Sequence, residues 1–132
     1  MLVRTNLLLF ALLIVHTVDH AINQPARDLP ATGTLIGVAG FAIVAGSTVL
    51  ALSRHQLAAP AAVFAGLATA LGIVGVHLAP GWYHPISDPY WDFDPNLISW
   101  ALALAPLIGG LALAAIGARE LRSGWTAAQP SG

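Results

Sequence analysis

Polar side chains are scarce along this chain and fall in clusters, which leaves four long apolar runs: Leu7 to Ile22, Leu35 to Leu52, Ala58 to Ala79 and Leu97 to Ala118. Each is near the length of about 20 residues that crosses a bilayer. A backbone amide without a partner in lipid costs several kcal/mol, and four runs are too few strands to close a barrel, so each run is expected as a helix. Pro60 falls in the first turn of the third run, where its missing N–H would be unpaired anyway. Pro106 is interior to the fourth and is expected to bend it. The connections are Asn23 to Leu29, Ser53 to Leu57 and Pro80 to Asn96. The pattern predicts an all-α, polytopic membrane protein. Residues 1–122 form one four-helix transmembrane domain, and residues 123–132 a short, flexible C-terminal tail.

Composition sharpens this picture. The 132 residues are 57% hydrophobic and 8% charged, with no cysteine, and the mean hydropathy is +0.76. A soluble domain carries about 25% charge, so a soluble enzyme or a disordered tail is disfavoured. Five Arg without a Lys cannot build the basic surface that a nucleic-acid phosphate backbone requires. The first run, with Arg4 before it and small residues near Ala26, has some features of a secretory signal. His16, Asp19 and His20 near its far end, and the lack of a clean A-x-A site, argue against cleavage. Arginine counting orients the bundle. With the N-terminus in the cytoplasm, that side holds Arg4, Arg54, Arg119 and Arg122, and the opposite side only Arg27. Both termini are therefore expected on the cytoplasmic side of the cell membrane.

Between lipid-embedded helices, small residues allow close backbone approach. The second span carries such a seam in Gly33, Gly37, Gly40, Val44, Ser47 and Ala51. The fourth carries two, Ala101-Ala105-Gly109-Ala112 and Gly110-Ala114-Gly117. Two stripes on one helix predict contacts on two sides, within the bundle or with a second copy.

The residues least suited to a membrane span are the most informative. On a 3.6-residue helix His16, Asp19, His20 and Asn23 share a face about 100° wide. An Asp at membrane depth costs about 2.5–3.5 kcal/mol unless it is paired or near the interface, so a partner is expected. His77, one turn from the end of the third span, lies on the same side of the bilayer. Histidines at i and i+4 can clamp one ion from a single helix face. His16, His20 and His77 are therefore the expected metal ligands, with Asp19 as a fourth ligand, as the carboxylate that orients an imidazole, or as the catalytic base toward bound water. Nitrogen and oxygen donors without thiolate favour a divalent transition metal such as zinc, iron or copper. Haem between His77 and His16 or His20 is the second cofactor reading, and an ion or proton route past Asp19 the third.

The segment from Pro80 to Pro95 holds four prolines and five aromatic residues in sixteen positions. Asp94 reads as the cap of the fourth helix, with Pro95 in its first turn. Trp82, Tyr83, Tyr90, Trp91 and Phe93 read as an interfacial belt. In a sharper reading the segment is a lid over the His/Asp face, completed by His84, Asp88 or Asp92. The functional expectation is an outward-facing His/Asp metal site supporting hydrolysis or redox chemistry on a lipidic or small substrate. A non-catalytic small subunit of a larger membrane complex is the principal rival. Expected partners are membrane lipids and a second copy or a membrane subunit, with no nucleic acid.

Overall fold

The structure, a computed structural model, describes residues 1–23, 31–79, 88–92 and 95–127. These residues are helical apart from short connections, and no strand occurs among them. α1 spans Leu2–Asn23, α2 Ala31–Leu52, α3 Ala58–Ile73 and α4 Leu97–Ala127. α3 runs directly into a π-helical turn, Val74–Leu78, and a 3-10 turn, Tyr90–Asp92, precedes α4. Four segments of these helices are long and apolar enough to cross a membrane. No more than 39% of any of them is buried, and Leu35, Val38, Phe64, Leu71 and Ile98 are among the exposed apolar side chains. So much outward-facing hydrocarbon is a liability in water and is matched by lipid.

Neighbours in sequence are neighbours in space. α1 packs on α2, α2 on α3, α3 on α4, and α4 closes back on α1, while α1 and α3 stand diagonal and touch little. Met1, the α2–α3 connection at Arg54 to Gln56, and Glu120 line one groove at one end of the bundle. His16, His20, His77 and Asp88 line a cavity toward the opposite end. Between the two ends Leu9, Leu13, Val44, Ala62, Ala65 and Leu113 form the buried core, with Phe10 and Phe41 edge to face at 6.1 Å beside it.

The most extensive contact joins α3 and α4, and glycine makes it possible. A Cβ on Gly66 would overlap the Gly110 carbonyl oxygen, one on Gly110 would come within 2.7 Å of the Gly66 oxygen, and one on Gly117 within 2.8 Å of the Ala59 oxygen. Backbone thus meets backbone. On another side of α4, Gly109 faces Leu9 and Leu12 of α1, so this helix is used on two sides, as its two small-residue stripes predict. The seam expected on α2 holds over only half its length. Val44, Ser47 and Ala51 are buried, but a Cβ on Gly37 or Gly40 would meet nothing within 4 Å. Toward the histidine-bearing end, the glycines of α2 therefore border open space instead of another helix.

Polar groups tie the opposite half together. Ser47 Oγ donates to Asn6 Oδ1 across α1 and α2 at 2.7 Å, and Asn6 Nδ2 donates to the Leu2 carbonyl at 3.0 Å. The cap of α4 differs from expectation. Asn96 Oδ1 accepts the Ser99 N–H at 3.0 Å, which is the reach of an N-cap side chain to the third residue of its helix. Asn96 is thus the cap and Pro95 precedes it; Asp94 lies outside the described residues. α4 continues unbroken through the buried Pro106 and past Ser123 to Ala127.

Candidate metal centre

α1 buries one row, Asn6, Leu9, Leu13, His16 and Asp19, at the steps of three and four that keep residues on one helix face. The row begins as core and ends as chemistry. The side chains that would be aliphatic in a plain scaffold are here an imidazole and a carboxylate, both at least nine-tenths buried. His20, on the next turn, is half-buried.

α3 buries Thr69 and Ile73 on one side, and His77 extends that row. In a regular α-helix each step of four advances about 40° around the axis, so the row drifts. The π turn at Val74–Leu78, closed by the Ala79 N–H bonding to the Val74 carbonyl at 2.7 Å, widens the last turn and offsets part of the drift. His77 thereby points across the bundle toward the diagonal helix α1. Single π turns are often found where a side chain must be re-aimed at a functional site.

The described part of the following connection folds over this end. The Asp88 N–H donates to the Val76 carbonyl at 2.8 Å, and Trp91 Nε1 donates to the Leu78 carbonyl at 2.9 Å. These bonds satisfy carbonyls freed at the end of the widened turn. Tyr90 is fully buried. Its ring lies 4.9 Å from that of His77 and 5.9 Å from that of His20, with Trp100 of α4 behind it at 5.3 Å.

Three imidazoles converge. Ring centroids are 4.6 Å apart for His16 and His20, 5.1 Å for His16 and His77, and 4.8 Å for His20 and His77. Each ring offers one nitrogen, and all three nitrogens lie within 4.8 Å of one another. Ligands on a tetrahedral zinc at 2.0–2.1 Å are separated by about 3.4 Å, so side-chain adjustments of about an ångström would gather the set on one ion. The hydrogen bonds help to assign the nitrogens. His77 Nδ1 lies 3.2 Å from the Asp88 carbonyl oxygen; the oxygen can only accept, so Nδ1 carries hydrogen and Nε2 keeps its lone pair for a metal. Nε2 of His20 lies 3.3 Å from the Tyr90 hydroxyl. Nδ1 of His16 is buried without a hydrogen bond, and the Leu102 backbone of α4 is the polar group beside the ring.

Asp19 belongs to this end of the bundle but stands outside the set of three. Its Oδ1 accepts from Asn23 Nδ2 at 2.7 Å, while its buried Oδ2 has no hydrogen-bond partner. An unsatisfied buried polar atom costs about 1–3 kcal/mol, and the described residues of this end include two, on adjacent turns of α1. Of the residues weighed for the lid, Asp88 is buried against His77 and Asp92 is exposed. His84 lies outside the described residues, as do Arg27, Trp82, Tyr83 and Phe93. Tyr90, expected in a headgroup belt, is a wall of the centre. Nothing in the spacing of the aromatic residues singles it out, because an irregular segment has no period from which a direction can be read. Comparison of the chain with protein-family models, with characterised proteins and with solved structures gives no match.

Proposed function

We propose that this chain is a multi-pass membrane protein that holds one divalent transition-metal ion between His16, His20 and His77. The observation that carries the reading is the convergence of three imidazole nitrogens, from two diagonal helices, within 4.8 Å. Burial of His16 and His77 and the unpartnered His16 Nδ1 support it. Zinc, iron and copper all suit a nitrogen donor set. The ring contacts favour a single ion over haem, because a macrocycle would have to enter between rings that already touch edge to face.

An ion held by His16, His20 and His77 would supply Lewis-acid chemistry toward an oxygen ligand or water, or electron transfer if it were iron or copper. The protein's own contributions follow from its contacts. The Asp88 carbonyl fixes His77, and Tyr90 limits the swing of His20 and shuts water out of that flank. The free oxygen of Asp19 gives it the role of a proton acceptor or of a charge-balancing carboxylate beside His16. By the arginine balance, four to one, the termini face the cytoplasm and the centre lies on the other side. Hydrolysis or redox chemistry on a lipidic or small substrate is the activity these parts suit.

Elemental analysis of detergent-purified protein tests the proposal. About one metal per chain is expected, with loss on replacing His16 or His77 by Ala and retention on replacing the exposed His55. Equal metal content in wild type and in both cluster variants would remove the assignment.

A further inference from the structure

A cavity of about 420 Å³ lies between α1, α2 and α3 and ends at His16, His20, His77 and Asp88. Apart from these polar groups its wall is largely hydrocarbon and glycine backbone, with Ile36, Phe41, Ile73, Gly37, Gly40 and Gly72 among its lining. The hydroxyl of Thr69, also in the wall, is already spent on the Ala65 carbonyl at 2.8 Å. Among the described residues nothing lies within 4 Å of a Cβ built on Gly37, Gly40 or Gly72, so these glycines keep a volume free instead of bringing helices together. The cavity reaches the protein surface between α1 and α2, where its lining residues Thr17, Gly37 and Ala39 are exposed. That opening lies within the apolar stretches and therefore faces lipid.

The geometry points to a lipid-binding site: a single-chain lipid enters from the bilayer, lays its hydrocarbon along the glycine wall, and brings a neutral oxygen head group, a hydroxyl or a carbonyl, to the ion held by the three histidines. The volume is within the range of small-molecule pockets, and a mostly apolar wall with a few convergent polar groups is their usual form. Charge selects the head. Neutral imidazoles add nothing to the charge of a divalent ion, while buried Asp19 beside His16 supplies a carboxylate. Its charge already offsets part of the ion's, so an anionic head gains less there than at a bare ion and loses its hydration on entry. The inference rests on the metal reading above and names the substrate class of that centre.

Cobalt-substituted protein in nanodiscs provides the test, because the visible spectrum of Co2+ reports its ligands. Dodecanol, dodecanoate and dodecane are the probes. Dodecanol is expected to change the spectrum saturably, with dodecanoate weaker and dodecane without effect. Gly40→Leu and Gly72→Leu, which fill the cavity from two helices, are expected to retain cobalt and to weaken the dodecanol response about ten-fold or more. Retained cobalt in either variant shows that it is folded. Bound cobalt whose spectrum ignores dodecanol, or a response unchanged in both variants, overturns the lipid site and leaves the metal centre standing. A stronger response to dodecanoate overturns the neutral head. Failure of the wild type to bind cobalt overturns the metal reading, and this inference with it.

Discussion

The hydroxyl of Tyr90 lies 3.3 Å from Nε2 of His20, and its ring is wedged between the histidines and Trp100. A ligand imidazole held through its second nitrogen is better aimed than a free one, and loss of such a contact typically costs 10–100-fold in metal affinity. Tyr90→Phe keeps the wedge and removes only the hydroxyl. Competition titration against a chelator is therefore expected to show affinity about 10–100-fold weaker, with the same stoichiometry at saturation. Unchanged affinity would confine Tyr90 to packing. At this scale the histidines were legible and Tyr90 was not. His16 and His20 lie on successive turns of one face of a regular helix, so spacing alone puts them together, and helix direction alone brings His77 to the same level. Tyr90 takes its position from backbone bonds made by Asp88 and Trp91, and no periodicity encodes these.

Glycine means opposite things on different helices, though the sequence writes it identically. Gly66 sits where any side chain would collide with α4 backbone, and backbone has nowhere to retreat. Gly46 of α2 has nothing within 4 Å of its Cβ position. Gly66→Ala is expected to destabilise the bundle by about 1–3 kcal/mol through overpacking. Gly46→Ala is expected to be neutral or to stabilise by up to about 1 kcal/mol, because the helix loses a flexible residue. Thermal or denaturant midpoints of the two variants in one detergent check this pair, and equal shifts would refute the close approach at Gly66. Element existence was readable throughout, since four apolar runs gave four helices with ends within a few residues except at the two termini. The packing role of each small residue was readable only in part. A stripe of Ala and Gly predicts that helices can approach, whereas which stripes are used depends on how all four lean on one another. The π turn left no mark in the hydropathy, because Val74 to Leu78 would be equally apolar in an α-helix.

For the molecule as a whole, the arginine balance predicts sidedness, and the absence of native cysteine makes that easy to check. Single cysteines at the exposed positions Gln56 and Asp92 report opposite ends of the bundle. In intact cells an impermeant maleimide is expected to label Asp92→Cys, and to label Gln56→Cys only after permeabilisation; the reverse would invert the topology and put the histidines on the inner side. One consequence belongs to the widened turn at Val74–Leu78. Returned to ordinary α-helix with no change of chain length, it would let His77 drift further around the axis of α3, away from α1, while all four hydrophobic stretches kept their length. Whether such a chain holds an ion is therefore decided by how one turn of backbone is wound, and two proteins with superimposable hydropathy profiles can differ in that single respect and share no chemistry.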